Sequence, residues 1–434
     1  MNNLTRSKPS RREILKWAGM SAAVAPFATK FAFGAALNHS SSAYEGTDEE
    51  LFDDVQRAAY RFFWNETDPR TGQIKDRAFL NGNDSRTMSS IAATGFGLTA
   101  LCIADSRGFG RSSDIRDRVR TTLRYVANEL ETEHGFYYHF LDMSTGRRWR
   151  KCELSSIDTT LLVCGALTAR QYFNDAEIQD LATKIYARVD WPWMLNKGYA
   201  FSMGWTPENG FLRARWDHYG EMMMMYLLGI GSPTAPVSPE TWKAFSRPKV
   251  TYDGITFIAG KDPLFTHQYS HAWFDFRNKE DAYTNYFENS ILATKAHKQY
   301  CLSLEAKFGH CCEDLWGISA SDTPRGYTAP PLLGPVDGSI VPCATGGSVP
   351  FLYSDCVQVL RTIRGRYSQK GWGLYGYVDA FNPSTGWYDT DVLGIDLGIT
   401  MLMIENYRTA MPWNTFMLNQ EAQAGMLRAG FQYV

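Results

Sequence analysis

The sequence predicts an all-α fold of paired helices in a closed ring, with long loops and short β-hairpins on one face. Apolar residues recur at helical spacing in ten segments, close to the number that six helix pairs need. Short and long connections alternate along the chain, which places the long loops at one end of such a ring. Most tryptophans, histidines and closely spaced acids fall in those loops. We therefore predict one helical domain over residues 44–434, with its functional groups at one end.

Regular apolar stripes give the clearest helices. Leu51, Val55 and Phe62 belong to a stripe that predicts a helix over 48–64, with Thr47 or Asp48 as its N-cap. Strand-like runs occur only in the connections, as at 136–140. The other predicted helices lie at 115–130, 178–189, 88–106, 156–173, 219–230, 283–307, 350–366, 395–408 and 414–430, with a weaker one at 239–246.

The first 36 residues resemble an export signal. Arg11 and Arg12 precede a weakly apolar stretch at 17–25, and small residues at 32–36 offer cleavage sites. Paired arginines in this position are typical of the twin-arginine route, whereas a basic tail leading into an amphipathic helix is the alternative. Because twin-arginine substrates fold before export, we expect a periplasmic or secreted protein whose eight cysteines form no disulfides that folding needs.

Composition excludes several classes of protein. A net charge of −2 argues against nucleic-acid binding, which needs excess Lys and Arg to displace counterions. Beyond the N-terminus no apolar run is long enough to span a membrane. Cys311 and Cys312 follow His310 but lack a second ligand pair at metal-binding spacing. We therefore expect no metal, no cofactor and a monomeric protein.

Closely spaced acids dominate the long loops. They group at 153–158, 216–221 and 387–396, and a fourth group at 266–277 combines Asp275 with two histidines; each group also contains aromatic or hydrogen-bonding residues. Cleavage of a glycosidic bond needs one carboxylic acid to protonate the leaving oxygen and a second carboxylate to activate water or attack the sugar. These groups therefore indicate a site for a polyhydroxylated ligand, and a carbohydrate hydrolase is a chemistry that they allow.

Each group also has a purely structural explanation. Glu221 opens a predicted helix, where an acid interacts favourably with the helix dipole. Glu153 and Asp158 can cap the helix that follows them, and the acids of 387–396 can form turns and a cap. His267 and His271 could bind a metal if helical, but without the Glu of HExxH they are expected to bond sugar or a carboxylate.

Short motifs that span nearly all of the expected domain resemble one known family. They lie, in order, at 155–159, 226–234, 265–271, 286–290, 314–318, 346–351, 376–383, 387–391 and 403–408. They resemble the glycoamylase-like family, whose characterised members include bacterial β-1,2-glucanases. This resemblance implies an (α/α)6 toroid and action on β-linked glucan, foremost β-1,2-glucan.

The resemblance also suggests roles for individual acids. It implies that Glu221 is the general acid and that Glu153 belongs to the same site. We expect Asp391 to be the general base acting through water, with Glu153 and then Asp158 as alternatives. Four tryptophans are expected to form sugar platforms among the substrate-binding residues. The expected substrate-binding residues are Asp158, Trp205, Tyr219, His267, Gln268, His271, Trp273, Trp316, Trp387, Asp389 and Asp396.

Two other functions are open to the same residues. A non-catalytic glycan-binding protein would use the same tryptophans and acids, and the absence of new reducing ends would identify it. A polysaccharide lyase on the same scaffold would need a cation against a uronate, for which Arg277 and Arg325 are the candidates in the loops.

Overall fold

The protein is described by a computed structural model that covers residues 44–260 and 262–434. The expected export signal at 1–36 lies outside the described residues. Within them, none of the helices combines the length and apolar character needed to cross a membrane.

Helices dominate the described chain. In chain order they are α1 (Asp48–Asn65), α2 (Ile91–Ser106), α3 (Ser112–Asn128), α4 (Ser156–Tyr172), α5 (Ala176–Ala187), α6 (Trp191–Leu195), α7 (Met223–Gly231), α8 (Tyr286–Ser303), α9 (Glu305–Phe308), α10 (Pro342–Gly346), α11 (Tyr353–Arg366), α12 (Ser368–Gly371), α13 (Gly394–Thr409), α14 (Met411–Phe416) and α15 (Gln420–Arg428), with 3-10 turns at Pro239–Lys243, Leu264–His267 and Tyr269–Ala272.

Burial separates the helices into an outer and an inner ring. The outer helices α1, α3, α5, α8 and α11 each bury part of their surface, as expected for amphipathic helices. The inner helices are buried all round: residues 91–104 of α2, 156–169 of α4, 223–231 of α7 and 394–406 of α13 have no exposed side. Inner and outer helices alternate along the chain, so the predicted (α/α)6 toroid is confirmed.

Short antiparallel strands occupy the connections. They are β1 (Arg77–Phe79), β2 (Met88–Ser90), β3 (Thr132–Glu133), β4 (Phe136–Tyr137), β5 (Phe140–Asp142), β6 (Leu154–Ser155), β7 (Gly204–Thr206), β8 (Gly210–Phe211), β9 (Lys249–Tyr252), β10 (Ile255–Ile258), β11 (Lys279–Glu280), β12 (Trp372–Gly373), β13 (Gly376–Tyr377), β14 (Phe381–Asn382), β15 (Trp387–Tyr388), β16 (Asp391–Leu393) and β17 (Gln432–Tyr433). The described pairs include β1 with β16, β2 with β5, and β7 between β6 and β8.

Some predicted helices have different bounds in the structure. The helix expected from 219 begins at Met223, because the preceding loop is held away from it by a 2.8 Å hydrogen bond from Tyr219 N to Ser246 O. The segment 414–430 covers the end of α14, which begins at Met411, and all of α15, and 239–246 contains a 3-10 turn. The short helices α6, α9, α10 and α12 span only four or five residues each, too few to show a helical period.

Candidate active site

Three of the expected acids directly precede inner helices. Glu153, Glu221 and Asp391 stand within three residues of the first residues of α4, α7 and α13. Successive helices of such a ring run antiparallel, so the inner helices all begin at the same end. The fold therefore brings these acids, which are far apart in the sequence, to one rim of the ring.

Hydrogen bonds connect the rim from Asp391 to the loop of Glu221. Asp391 pairs with β1, whose neighbouring residue Asp76 bonds through its N–H to Met88 O at 3.1 Å. Strand β2 then pairs with β5, and the His139 N–H, just before β5, donates to Glu153 O at 2.9 Å. The Trp216 indole donates to the Ser156 hydroxyl at 3.0 Å and links the first turn of α4 to the loop before α7.

Glu221 is buried, with only 5% of its surface exposed. It precedes the N-cap of α7, Met222, so the expected place in the first helical turn is corrected by the structure. Its carbonyl oxygen accepts a 2.8 Å hydrogen bond from the Ser270 hydroxyl, which in turn accepts from the Met224 N–H at 3.1 Å. The backbone at Glu221 is thus held by Ser270, in the 3-10 turn Tyr269–Ala272. Buried methionines follow Glu221 at the start of α7.

Glu153 and Asp158 share one histidine. His139 Nδ1 lies 3.3 Å from a Glu153 oxygen, and His139 Nε2 lies 3.6 Å from Asp158 Oδ2. Ser155 caps α4, accepting from the Asp158 N–H at 3.0 Å and bonding the Asp158 carboxylate. The cap of α4 is therefore Ser155, and neither Glu153 nor Asp158 has the capping role considered above. Glu153 and Asp158 form one buried network with His139 between them.

Glycine at position 204 allows Glu153 its position. A Cβ at Gly204 would lie 2.4 Å from Leu154 O and 2.8 Å from Glu153 Cγ. Both are shorter than real carbon contacts, so the strand pair of β6 and β7 closes on Glu153 only because residue 204 has no side chain.

Asp391 is held by a guanidinium fork. Arg86 Nη1 and Nη2 donate to the two Asp391 oxygens at 2.8 and 2.9 Å, and Arg86 Nε donates to Asp84. Asp391 is buried, whereas the Arg86 side chain is 39% exposed. A bidentate pair fixes the orientation of the carboxylate.

A second group of acids lies beside Asp391 and was missed in part from the sequence. Oxygens of Asp322, Asp379 and Asp389 lie within 4.8 Å of one another, and all three residues are buried. The Asp322 N–H donates to Asp379 at 2.7 Å. Asp379 falls in the family motif 376–383 but was not singled out, and Asp322 had no signal, because its neighbours are distant in sequence.

Arg77 neutralises part of this group. Its guanidinium donates to Asp76 at 2.9 Å and to Asp322 at 2.8 Å, and lies 3.9 Å from Asp391. Burial alone lowers the pKa of Arg77, but the charges of Asp76 and Asp322 outweigh burial and the net pKa is raised. Arg77 therefore stays charged and joins β1 to the loop of Asp322.

Asp379 has a raised pKa. Burial raises its pKa well above the usual range, and the nearby charges of Asp396 and Asp322 and a hydrogen bond with Asp396 raise it further. Asp396, in the first turn of α13, has the expected helix-start position and also faces this group. The two carboxyl groups thus favour sharing a proton.

Asp379→Asn is expected to stabilise the protein as the pH rises. A folded-state pKa above the unfolded value gives a contribution that is present at low pH and lost as the pH rises through the folded pKa. Thermal unfolding of wild type and variant should therefore agree near pH 3.5 and diverge toward pH 7, with a gain on the order of 1 kcal/mol for the amide. Asp253→Asn, the same change on an exposed turn, should give no divergence. If the stability of the variant relative to wild type fell as the pH rose, the raised pKa of Asp379 would be contradicted.

The four expected sugar platforms occupy different environments. Trp205 and Trp387 are half-buried. Trp205 pairs with Leu154, and strand alternation places it on the face opposite Glu153, where its ring lies 5.7 Å from that of Trp193. Trp273 and Trp316 have no exposed surface, and Trp273 packs on Phe96 and bonds Thr99 at 2.9 Å. The expected platform role is therefore corrected at Trp273 and Trp316, since a ring without an accessible face cannot stack on a sugar.

The expected substrate-binding residues at 266–271 lie in the two consecutive 3-10 turns Leu264–His267 and Tyr269–Ala272. His267 contacts the Tyr219 hydroxyl at 3.2 Å, and His271 contacts the Ser290 hydroxyl at 3.0 Å. Gln268 donates to Ala344 O at 2.9 Å and ties this segment to α10. Burial lowers the pKa of His267 and lowers that of His271 to about 3, so both imidazoles are neutral. Tyr219, His267, Gln268 and His271 are all buried, which corrects their expected role as sugar-contacting residues. His267 supports the loop of Glu221 through Tyr219, whereas His271 and Gln268 contact α8 and α10.

Arg277, one of the two arginines considered for a lyase, is already paired with Asp275. Its guanidinium donates to Asp275 at 2.9 Å and lies 4.2 Å from the Trp413 ring centroid. This intramolecular ion pair disfavours a role in binding a uronate. Arg325 is exposed.

Comparison with known proteins gives the same family in three ways. The Glycoamylase family model matches residues 213–420, which include Glu221 and Asp391. A curated relative, an exo β-1,2-glucooligosaccharide sophorohydrolase (non-reducing end) from Parabacteroides distasonis, is 28% identical over 428 residues. That match covers 89% of this chain and 58% of the relative, so the chain spans little more than half of the relative's length.

Solved structures support the same grouping. An endo-β-1,2-glucanase from Chitinophaga pinensis, in complex with sophorotriose and glucose, is 25% identical with a TM-score of 0.83, covering 89% of this chain and 99% of that one. A β-1,2-glucanase from Parabacteroides distasonis is 27% identical with a TM-score of 0.83, covering 89% of this chain and 60% of that one. With its ring of helix pairs and its rim of acids, the chain is similar to the glycoamylase-like family in both sequence and fold.

Proposed function

We propose that the chain is a glycoside hydrolase that cleaves β-1,2-linked glucan by carboxylic acid and base catalysis. The observation that carries the proposal is the placement of Glu221, Glu153 and Asp391 directly before inner helices at one rim of the ring. The relatives named above, which are described as β-1,2-glucan hydrolases, support the choice of substrate.

Each proposed role follows from the surroundings of the residue. Glu221, followed by buried methionines, gives its proton to the glycosidic oxygen as the bond from that oxygen to the anomeric carbon breaks. Asp391, oriented by Arg86, accepts a proton from the water whose oxygen bonds to the anomeric carbon. Glu153, which His139 orients, is the alternative base. A separation of roughly 6.5–9.5 Å between acid and base in the working complex gives inversion, and roughly 5–5.5 Å gives retention.

Product analysis on three glucans tests the proposal. We expect new reducing ends from β-1,2-glucan and none from β-1,3- or α-1,4-glucan. A ladder of products identifies endo cleavage, whereas sophorose alone identifies exo cleavage. Tight binding of β-1,2-glucan without new ends would contradict the hydrolase and favour the non-catalytic glycan-binding protein. An unsaturated product absorbing in the ultraviolet would instead favour the lyase.

We also propose that the protein is exported by the twin-arginine route and acts as a monomer in the periplasm or outside the cell. The paired arginines at 11 and 12 support the route. All eight cysteines are free thiols, and those at 102, 164 and 356 are fully buried, which fits a protein that folds without disulfides before export.

A further inference from the structure

An exposed aromatic ring lies directly beside Asp391 on the strand pair of β1 and β16. Phe79 is the residue opposite Asp391 in the register, and Ala78 is opposite Val392. Residues directly opposite in an antiparallel pair point to the same face, with Cβ atoms about 4.5–5.5 Å apart. Ala78 and Val392 are fully buried, so the other face, with Arg77, Phe79 and Asp391, is the one directed to the acids of the rim.

Phe79 is the outermost residue of that face. It is 43% exposed, while Asp391 is only 4% exposed. The Arg86 guanidinium lies 4.6 Å from its ring centroid, and the Phe79 N–H donates to Asp84 at 3.1 Å. Asp84 also bonds Arg86, so the backbone of Phe79 and the cation on its ring are fixed by the same carboxylate. An apolar ring is thus held at a defined, solvent-exposed position next to Asp391, the proposed catalytic base.

Arg86 retains one hydrogen-bond donor beside this ring. A guanidinium has five N–H groups, one on Nε and two on each Nη. Nε donates to Asp84, Nη2 to Asp84 and Asp391, and Nη1 to Asp391, which leaves one Nη1 hydrogen outside these bonds. A sugar has the matching chemistry, since its C–H face packs on an aromatic ring and its hydroxyl oxygens accept from a guanidinium.

We propose that Phe79 and Arg86 form a glucosyl-binding subsite at the mouth of the active site, with Phe79 as the platform. This inference rests on the proposed function, because the neighbouring Asp391 is placed in the cleavage machinery. The subsite binds the glucan next to the bond that is cleaved and does not take part in proton transfer. Removal of the Phe79 ring, with Arg86 left in place, therefore weakens binding and leaves the chemical step unchanged.

Variants of Phe79 test the subsite. With β-1,2-gluco-oligosaccharides of increasing length, Phe79→Ala should raise KM about tenfold with kcat within twofold of wild type, because a buried aromatic contact is lost. Phe79→Trp keeps a ring and should retain the wild-type KM. Tyr199→Ala removes another exposed aromatic residue, 66% exposed, and should change neither constant. Equal melting temperatures of the variants establish that each is folded.

Binding to β-1,2-glucan embedded in a native gel separates the subsite from the hydrolase proposal. If wild type is retarded and Phe79→Ala is not, the subsite stands even where no reducing ends are released. If wild type releases reducing ends and Phe79→Ala has the wild-type KM, the subsite is wrong while the hydrolase proposal stands. A wild-type protein that is not retarded and releases no ends overturns both.

Discussion

Glu221→Gln is expected to lower the rate of β-1,2-glucan hydrolysis by about two orders of magnitude or more, because an amide cannot protonate the leaving oxygen. The fold should not change. Glutamine has nearly the same shape. The Ser270 hydroxyl donates to the Glu221 carbonyl and accepts from the Met224 N–H, and the substitution leaves both bonds in place. Initial rates of reducing-end release measure the loss, and thermal unfolding checks the fold.

A substrate with an activated leaving group identifies the step that is lost. A nitrophenolate leaves without protonation, so Glu221→Gln should cleave nitrophenyl β-sophoroside at a rate much closer to that of wild type. Glu305→Gln, which changes an exposed glutamate in the first turn of α9, should match wild type on both substrates. Turnover of β-1,2-glucan by Glu221→Gln at the wild-type rate would exclude Glu221 as the acid.

The same pair of substrates distinguishes the candidate bases. Asp391→Asn and Glu153→Gln should slow both substrates if the changed residue activates water, because water attack is needed whatever the leaving group. The variant that keeps its rate on the activated substrate is not the base. The anomer of the first product, followed by NMR, then shows whether cleavage inverts or retains configuration.

The fold was predictable from the sequence where one side of a helix meets solvent. In α1, buried Leu51, Val55 and Phe62 alternate with exposed residues at the helical period, so its bounds agree closely with the prediction. Inner helices lack this contrast. All nine residues of α7 are buried, and the apolar run therefore gave no indication that the helix begins at Met223 instead of 219.

The candidate site was predictable in its acids but not in their partners. Glu153, Glu221 and Asp391 stand out because each lies in an acidic, aromatic loop before an apolar run. Arg86 and Asp322 do not, since each acquires its role from a residue more than 200 positions away, 305 for Arg86 with Asp391 and 245 for Asp322 with Arg77. Such pairings form only when the helical ring closes and brings distant parts of the chain together, which local sequence patterns do not encode.

The tryptophans show the same limit for a different reason. Trp205 and Trp273 both lie in long loops and have the same chemistry in the sequence, yet Trp273 is fully buried and Trp205 is half-buried. A large aromatic side chain stabilises a core as readily as it binds a sugar. The exposed ring at the rim is instead Phe79, in a short strand whose facing partner, Asp391, is distant in the sequence.

Arg77→Met is expected to lower the free energy of unfolding by about 3–5 kcal/mol, the usual cost of removing one partner of a buried ion pair. The side chain of Arg77 is 15% exposed and that of Asp322 is fully buried, so water cannot replace the lost guanidinium. Denaturant unfolding measures the change. Arg124→Met, which breaks a surface pair with Glu177, should leave the unfolding midpoint unchanged.

A second substitution determines whether the uncompensated charge is the cause. If the loss in Arg77→Met comes from the buried Asp322 carboxylate, adding Asp322→Asn should restore part of the stability, because the amide carries no charge to bury. If the loss comes from packing of the arginine stem, the double variant should be no more stable than Arg77→Met alone. Activity separates the two further. Asp391 keeps its bonds to Arg86 in both variants, so a double variant that regains stability should also regain turnover. If it regains stability without turnover, the Arg77 guanidinium, 3.9 Å from Asp391, is itself needed for the reaction. Stability of Arg77→Met within about 1 kcal/mol of wild type would show that the acids of the rim do not depend on this cation.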